Sequence, residues 1–450
     1  MNNHRTAQLS VPLLASIALS IAAIPASVLG GTRFVSNSGV DSGTCGQSRD
    51  HACRSINQAI DNASTGDVIW VGAGQYGALS GNDGCAVCIT KGVQIYSYSG
   101  TTATVIEAGP DFGAAVQVLS DKVVFGAKNH GFTVTGGRTG VLVDYDSIPG
   151  HITSGITVAG NVTIDEGTGF QVQGPKYSTG NSIGACLDAG FPLQDCDSLG
   201  QVSFVQNTAV GGGAGFMARV NWDTRSRMLI KDNRAIGTGV GFDAAPGNQE
   251  SCSCSLGRTA ELVQLVHNVA THNGVGLKAV FLSSIQGNVA SGNSQAGFVL
   301  VPMFGTTFKG NAATGNKGPG AIVLFEENNP TYSFATFTQN DFYGNDRDRP
   351  GTVFSPGILG FPALLDQLEL PIGPAAHCGV LNLGAVAEIE GTLPLPTVQL
   401  SAVGNYWGSE GGPAPTGPGD AVGGTCDQNG GVTVARPFSS AWFSFAPLPD

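Results

Sequence analysis

The 450-residue chain carries 67 glycines and only 12% charged residues, with a formal net charge of −12. Glycine is costly inside helices and useful where a chain turns sharply, so this balance excludes an all-helical protein and favours a turn-rich β chain. The acidic surface excludes nucleic acid and anionic membranes as partners, since both need a basic face.

Residues 1–30 read as an export signal. Arg5 lies in a short polar start, the apolar run "VPLLASIALSIAAIPA" follows, and Ala26, Ser27, Gly30 and Gly31 supply small residues for cleavage. No later stretch stays apolar for 18 residues, so the sequence predicts a soluble protein, secreted or otherwise extracytoplasmic, with no membrane span. Ten cysteines in an exported chain point to disulfides. Sequence proximity suggests Cys45 with Cys53, Cys186 with Cys196 and Cys378 with Cys426. Cys85 and Cys88 form a C-x-x-C that counts among the disulfide cysteines, because no second Cys or His pair lies near enough in sequence to complete a zinc site. Cys252 and Cys254 are too close together for an unstrained bridge, and each is expected to reach another loop.

The segment "RFVSNSGVDSGTCGQSRDHACRSINQAIDNASTGDVIWVGAGQY" (33–76) predicts a strand, a disulfide turn, a helix near 54–63 and another strand. Ile56, Ala59, Ile60 and Ala63 share one helical face, which suits an amphipathic helix closing one end of an apolar column. Beyond it, glycine-led strands recur: "GVLVDY" (140–145), "GFQVQ" (169–173), "GFMARV" (215–220), "GFDAA" (241–245), "GLKAV" (276–280), "GFVLV" (297–301) and "GAIVLF" (320–325). Their first and third positions after the glycine are mainly apolar, the period of a strand with one buried face. An asparagine precedes each, at Asn129, Asn161, Asn207, Asn233, Asn268, Asn288, Asn311 and Asn340, with intervals of 20 to 46 residues. Stacked coils with loops of arbitrary length between strands produce such intervals. Asparagine suits the turns because it tolerates left-handed backbone angles, and stacked amides can bond from coil to coil.

These strands, the N-terminal segment and "NYWGSEGGP" (405–413), where Trp407 would pack inside, resemble the right-handed parallel β-helix proteins of the pectate-lyase-like superfamily. The resemblance implies an all-β solenoid of about ten coils with an N-terminal amphipathic capping helix. On this division residues 31–90 form the cap region, 91–346 the coils, 347–400 an insertion and 401–450 the closing segment. A monomer is expected.

If the first and third strand positions point inward, the second and fourth stack into an exposed stripe: Leu142 and Asp144, Gln171 and Gln173, Met217 and Arg219, Asp243 and Ala245, Lys278 and Val280. The insertions at 174–200, 221–229, 246–261 and 327–334 all leave after the same strand and would wall one side. Such a stripe suits an extended polysaccharide or cell-surface glycan, with Asp144, Gln171, Gln173, Arg225, Arg227 and Lys231 as binding groups. The superfamily's lyases imply a further role. Lys278 would be the base, with its proton affinity lowered by Arg219 or by calcium, Arg219 would neutralise a uronate carboxylate, and Asp243 would pair with Lys278. No cofactor is demanded, and calcium is the candidate ion; Asp341, Asp346 and Asp348 of "DFYGNDRDRP" lack the ligand order of an EF-hand. The paired aspartates and Gly-His-Gly of the superfamily's hydrolases, and the Trp-x-Asp-His of its pectate lyases, are missing from this sequence. A scaffold that binds protein without catalysis is the alternative from another class.

Overall fold

The computed structural model describes residues 30–78, 84–144, 155–173, 201–220, 227–246, 263–280, 282, 284–302, 306–326, 335–345, 377–386, 398–427 and 431–437. The expected export signal, Arg225, Cys186, Cys196, Cys252, Cys254, Asp346 and Asp348 lie outside them. The described strands form three long sheets in which every pairing is parallel. Sheet 1 has thirteen strands and runs from Thr32–Val35 to Gly431–Pro437; sheets 2 and 3 have ten strands each, from Gly74–Ala78 to Asp341–Tyr343 and from Cys85–Ile89 to Val380–Val386. The chain visits sheet 1, then 2, then 3, and returns one level higher, as in Val263–Val266, Val269–Thr271 and Val275–Val280. This is a right-handed parallel β-helix, with the ten coils the repeat predicts.

Two boundaries shift. The strands Val68–Val71, Gly74–Ala78 and Cys85–Ile89 already make a coil before residue 91, and Val380–Val386 within the expected insertion is the last strand of sheet 3. The predicted helix is present at Ile56–Asn62, started by Ser55, whose hydroxyl accepts the Gln58 amide, and it buries Ile56, Ala59 and Ile60. Asn57 donates to the Ala86 carbonyl and accepts from the Cys88 amide. Its amide therefore pairs with the outer edge of the first sheet-3 strand as a neighbouring strand would. Disulfides join Cys45 to Cys53, Cys85 to Cys88 and Cys378 to Cys426.

Inside the coils, apolar side chains stack level on level. Phe170, Phe216 and Phe242 are in register, their rings parallel with centroids 4.8 Å apart. Trp407 is fully buried and stacks on Phe342, as the closing segment predicts. The glycine that leads each sheet-3 strand is explained by crowding. A Cβ on Gly276 would lie 2.5 Å from the Gly297 carbonyl oxygen and 2.8 Å from the Ala290 methyl.

The asparagines form a buried ladder, but not the one expected at its start. Asn161, Asn207, Asn233, Asn268, Asn288, Asn311, Asn340 and Asn405 each occupy one level, and the side-chain oxygen of each accepts the backbone amide of the residue below. Asn129 is exposed and stands outside the ladder; Phe132 takes its level, and its amide donates to Asn161. The left-handed residue is the one before each ladder asparagine, such as Gln206, Asp232, His267 and Gln339, rather than the asparagine itself. A second column, unforeseen from the sequence, stands five residues later. Thr238, Asn273, Asn293, Asn316, Asn345 and Asp420 bond in the same way. Asp341, expected in a loop, is buried in strand Asp341–Tyr343.

Two levels below Thr238, by continuation of the register, the second column holds Glu166 in place of an amide. Neither carboxylate oxygen closes a hydrogen bond with a described residue, although the Gly136 amide bears on them. Burial pushes this carboxyl up to about 8, against the pull of that amide and with a small push from Asp165. Between 4.5 and about 8 the folded chain therefore keeps a proton that the unfolded chain has lost. Stability falls as pH rises through that window. Glu166→Gln cannot ionise and should flatten this slope, gaining about 1–3 kcal/mol over wild type at pH 9 once solvent screening is allowed for. Urea titrations of both proteins at pH 5 and pH 9 check this, and parallel pH profiles would contradict it.

Candidate functional site

Sheet 3 turns alternate side chains outward, and its register arranges them in columns. One column runs through Gln117, Leu142, Gln171, Met217, Asp243, Lys278, Val299 and Ile322. A second runs through Asp144, Gln173, Arg219 and Ala245. Through Arg219 the polar members are half-buried, with their edges in solvent. Gln117 donates to the Asp144 carboxylate at 3.3 Å, and Thr139 donates to the Gln171 side-chain oxygen at 3.2 Å. Gln117 was not among the expected binding residues. Its strand, "AAVQV", has Ala115 where the next strand has its leading Gly140, so a glycine-led alignment passes over it.

The stripe does not continue in the open to Val280 as the alternation predicts. Asp243, Lys278, Val280, Val299 and Val301 are all buried, as are Ile322 and Leu324. From the level of Lys278 upward, the outer face of sheet 3 belongs to a second apolar cluster that includes Leu381, Leu383, Cys378 and Cys426. Strands covered on both faces lose the alternation between apolar and polar positions, so exposure cannot be read from it there.

At the border between the open and covered parts, Arg219, Asp243 and Lys278 come together, as the sequence predicts. Arg219 Nη2 lies 2.5 Å from Asp243 Oδ2, and Nη1 donates to the Asp243 carbonyl at 3.2 Å. Lys278 Nζ stands 3.9 Å from Asp243 Oδ1, an ion-pair separation longer than a hydrogen bond. Burial pushes the Lys278 ammonium below its ordinary range; Asp243 pulls it back up, and Arg219 adds to the lowering. The arrangement lowers the proton affinity of a lysine whose side chain is only 5% exposed.

The remaining basic candidates lie elsewhere. Strand Arg227–Lys231 belongs to sheet 1, so neither Arg227 nor Lys231 stands on the sheet-3 row. Lys231 is half-buried on that other face, beside Asp232 at 4.0 Å. The adjoining segment left their place in the repeat ambiguous, because five of the chain's 21 Lys and Arg fall within 219–234 and the four described ones lie on three sheets, Arg219 on sheet 3, Arg227 and Lys231 on sheet 1 and Arg234 on sheet 2. The insertions 174–200 and 327–334 follow sheet-3 strands, whereas 227–229 of the expected insertion 221–229 are already strand.

Fold and site together define a disulfide-bonded, right-handed parallel β-helix protein, extracytoplasmic because its cysteines are paired. No helix among the described residues is long and apolar enough to cross a membrane. Residues 247–349 match the sequence model of a family described as periplasmic copper-binding protein (NosD). Among solved structures the chain is similar to an alginate lyase from Paenibacillus sp. str. FPU-7, with 16% identity and a TM-score of 0.34 over 78% of this chain and 91% of that one. Those values do not carry that protein's activity across. No curated protein matches the chain significantly.

A copper site needs several nitrogen, sulfur or oxygen donors that converge on one point. Among the described residues, one group of His, Cys, Asp or Glu side chains lies close enough to share an ion, namely Asp41 with Cys45 and Cys53. Both sulfurs are consumed in a disulfide. His267 and His272 occupy left-handed turn positions at successive corners of one coil, before Asn268 and Asn273, and form no such group. The described residues do not fit a copper site.

Proposed function

We propose that this protein binds an extended polysaccharide or cell-surface glycan along the lower outer face of sheet 3. The observation that carries this reading is the half-exposed row of Gln117, Asp144, Gln171, Gln173 and Arg219 on successive levels of a rigid column. Parallel strands stand about 4.8 Å apart, so the row offers hydrogen-bonding groups at regular intervals to a chain of hydroxyl-bearing rings. Binding demands no cofactor of these residues.

A lyase reading keeps one specific support, the lowered proton affinity of Lys278 beside Arg219. On that reading Lys278 takes the proton next to a uronate carboxylate, Arg219 faces the carboxylate, and calcium is the ion to test. The burial of Lys278 weighs against it, because a base must come within hydrogen-bond reach of the proton it removes. A protein-binding scaffold is the remaining alternative.

Retention on immobilised polygalacturonate, alginate and heparin, combined with absorbance of newly formed unsaturated ends with and without calcium, tests all three. The expected outcome is retention with a flat absorbance trace. Combined Gln171→Ala and Gln173→Ala should weaken retention by about tenfold, the loss of one to two hydrogen bonds. Absorbance that rises with wild type and stays flat with Lys278→Met would instead establish the lyase, and no retention on any glycan would leave the scaffold.

A further inference from the structure

A second surface, on sheet 1 at the N-terminal end, has a different chemistry. Phe34, Trp70 and Tyr96 are partners in register on three successive strands; Trp70 and Tyr96 are flanked by buried residues on both sides, so this register column projects outward. Trp70 and Tyr96 rings lie 5.3 Å apart, and Tyr98, 57% exposed, meets Trp70 edge-on at 6.0 Å. His130 approaches the same indole edge-on at 5.4 Å, its Nδ1 3.0 Å from the Ser97 carbonyl oxygen. The column ends at Tyr96, because the next strand stops at Phe125 and the chain continues through Gly126.

Arg49 decides what this platform suits. Its guanidinium lies 4.7 Å from the Tyr98 ring centroid and 5.7 Å from that of Phe34. Among the described residues no carboxylate lies within ion-pair distance of it, whereas Arg33, at the foot of the same sheet, is held by Asp67 at 3.4 Å. An exposed arginine resting on two rings keeps its charge and its donors for a ligand. In a chain with a net charge of −12, such a local positive charge still attracts an anion at short range, since distant charges are screened beyond about 8 Å.

We propose that Trp70, Tyr96, Tyr98 and Arg49 form a second glycan site that takes a uronate-bearing sugar, its ring against the aromatic faces and its carboxylate on the Arg49 guanidinium. Stacking supplies affinity for a ring carrying aligned C–H bonds. The planar guanidinium fork supplies the preference for a carboxylate over a neutral hydroxymethyl group. The site lies on a different sheet from the row of Gln171 and Gln173 and does not rest on that row binding anything.

The test is calorimetric titration of the full chain with trigalacturonate and with cellotriose. Wild type should bind trigalacturonate more tightly than cellotriose. Arg49→Gln should weaken trigalacturonate by about tenfold while leaving cellotriose unchanged, since one charge-assisted bond is lost. Trp70→Ala should weaken both sugars. Arg49 is exposed, so its variant should melt with wild type, which keeps the result readable if Trp70→Ala folds poorly. Equal affinity of wild type for the two sugars, or wild-type binding of trigalacturonate by Arg49→Gln, overturns the proposal. The combined Gln171→Ala and Gln173→Ala variant separates the two surfaces. Lost polymer retention there with unchanged trigalacturonate binding condemns neither, whereas wild-type retention there with weakened binding in Arg49→Gln overturns the sheet-3 reading alone.

Discussion

Asn288→Ala should lower the stability of the column by about 3–5 kcal/mol, because several buried partners lose their bonds together. Asn288 donates to the Leu265 carbonyl at 2.9 Å and to the Asn311 oxygen at 3.0 Å, and its own oxygen accepts the Asn268 backbone amide at 2.9 Å. All these ladder residues are buried, with water excluded from replacing the lost groups. An alanine leaves an orphaned amide and an orphaned carbonyl at the centre of the ladder. Asn288→Asp fits the space but replaces a donor with an acceptor facing the Asn311 oxygen, so it should be at least as damaging near neutral pH. Asn129→Gly provides the contrast. This residue carries the same sequence signature, yet it is exposed and sits at φ 67°, an angle glycine adopts freely, so its replacement should change stability by less than about 0.5 kcal/mol. Denaturant midpoints measure all three. Hydrogen exchange should show the loss in Asn288→Ala concentrated in the neighbouring coils, since each coil touches mainly those above and below. A small loss for Asn288→Ala would mean that the ladder is a consequence of the stacking and does not hold it.

The coils were legible because strand and turn repeat in a fixed order, and a buried face imposes period two whatever the loops do. The turns were legible only in part. A sequence shows that asparagine recurs, but not whether it occupies the left-handed position or the buried one beside it; the φ values assign the first to Gln206, His267 and Gln339. The second column was hidden because its members change identity, from Glu166 through Thr238 to Asn273 and Asp420, although from Asn273 upward each accepts an amide from the level below. For the candidate site, register could be anticipated, and it correctly brought Arg219, Asp243 and Lys278 together. Exposure could not. Val299 and Val301 look the same in sequence whether a partner, another part of the chain or solvent lies over them, and only the packed structure shows them covered. Arg227 and Lys231 lie on sheet 1, away from the sheet-3 row, because their strand follows the corner after Ala214–Val220.

The cluster of Arg219, Asp243 and Lys278 makes the second large prediction, and it turns on asymmetry. Asp243→Ala removes an anion that faces two cations. Arg219, 26% exposed, can turn its guanidinium to water; Lys278, 5% exposed, cannot follow. Breaking a buried ion pair by removing one partner costs about 3–5 kcal/mol. Lys278→Met deletes a buried charge, leaves Asp243 its 2.5 Å contact with Arg219, and adds an apolar side chain in register with Val299. Its effect should be within about 1 kcal/mol of zero, of either sign. Combining the two changes should recover most of what Asp243→Ala loses, a coupling of about 2–3 kcal/mol. The pH dependence follows from the lowered proton affinity of Lys278. Between its folded value and 10.5 the unfolded chain holds a proton that the folded chain has released, so stability rises with pH across that window. Lys278→Met should abolish this rise. Glycan retention should survive in Lys278→Met if the lysine serves packing alone. Equal losses in Asp243→Ala and in the double variant would mean that the lysine never depended on the aspartate. Its burial would then need another compensating group, and the lowered proton affinity would be free to serve chemistry.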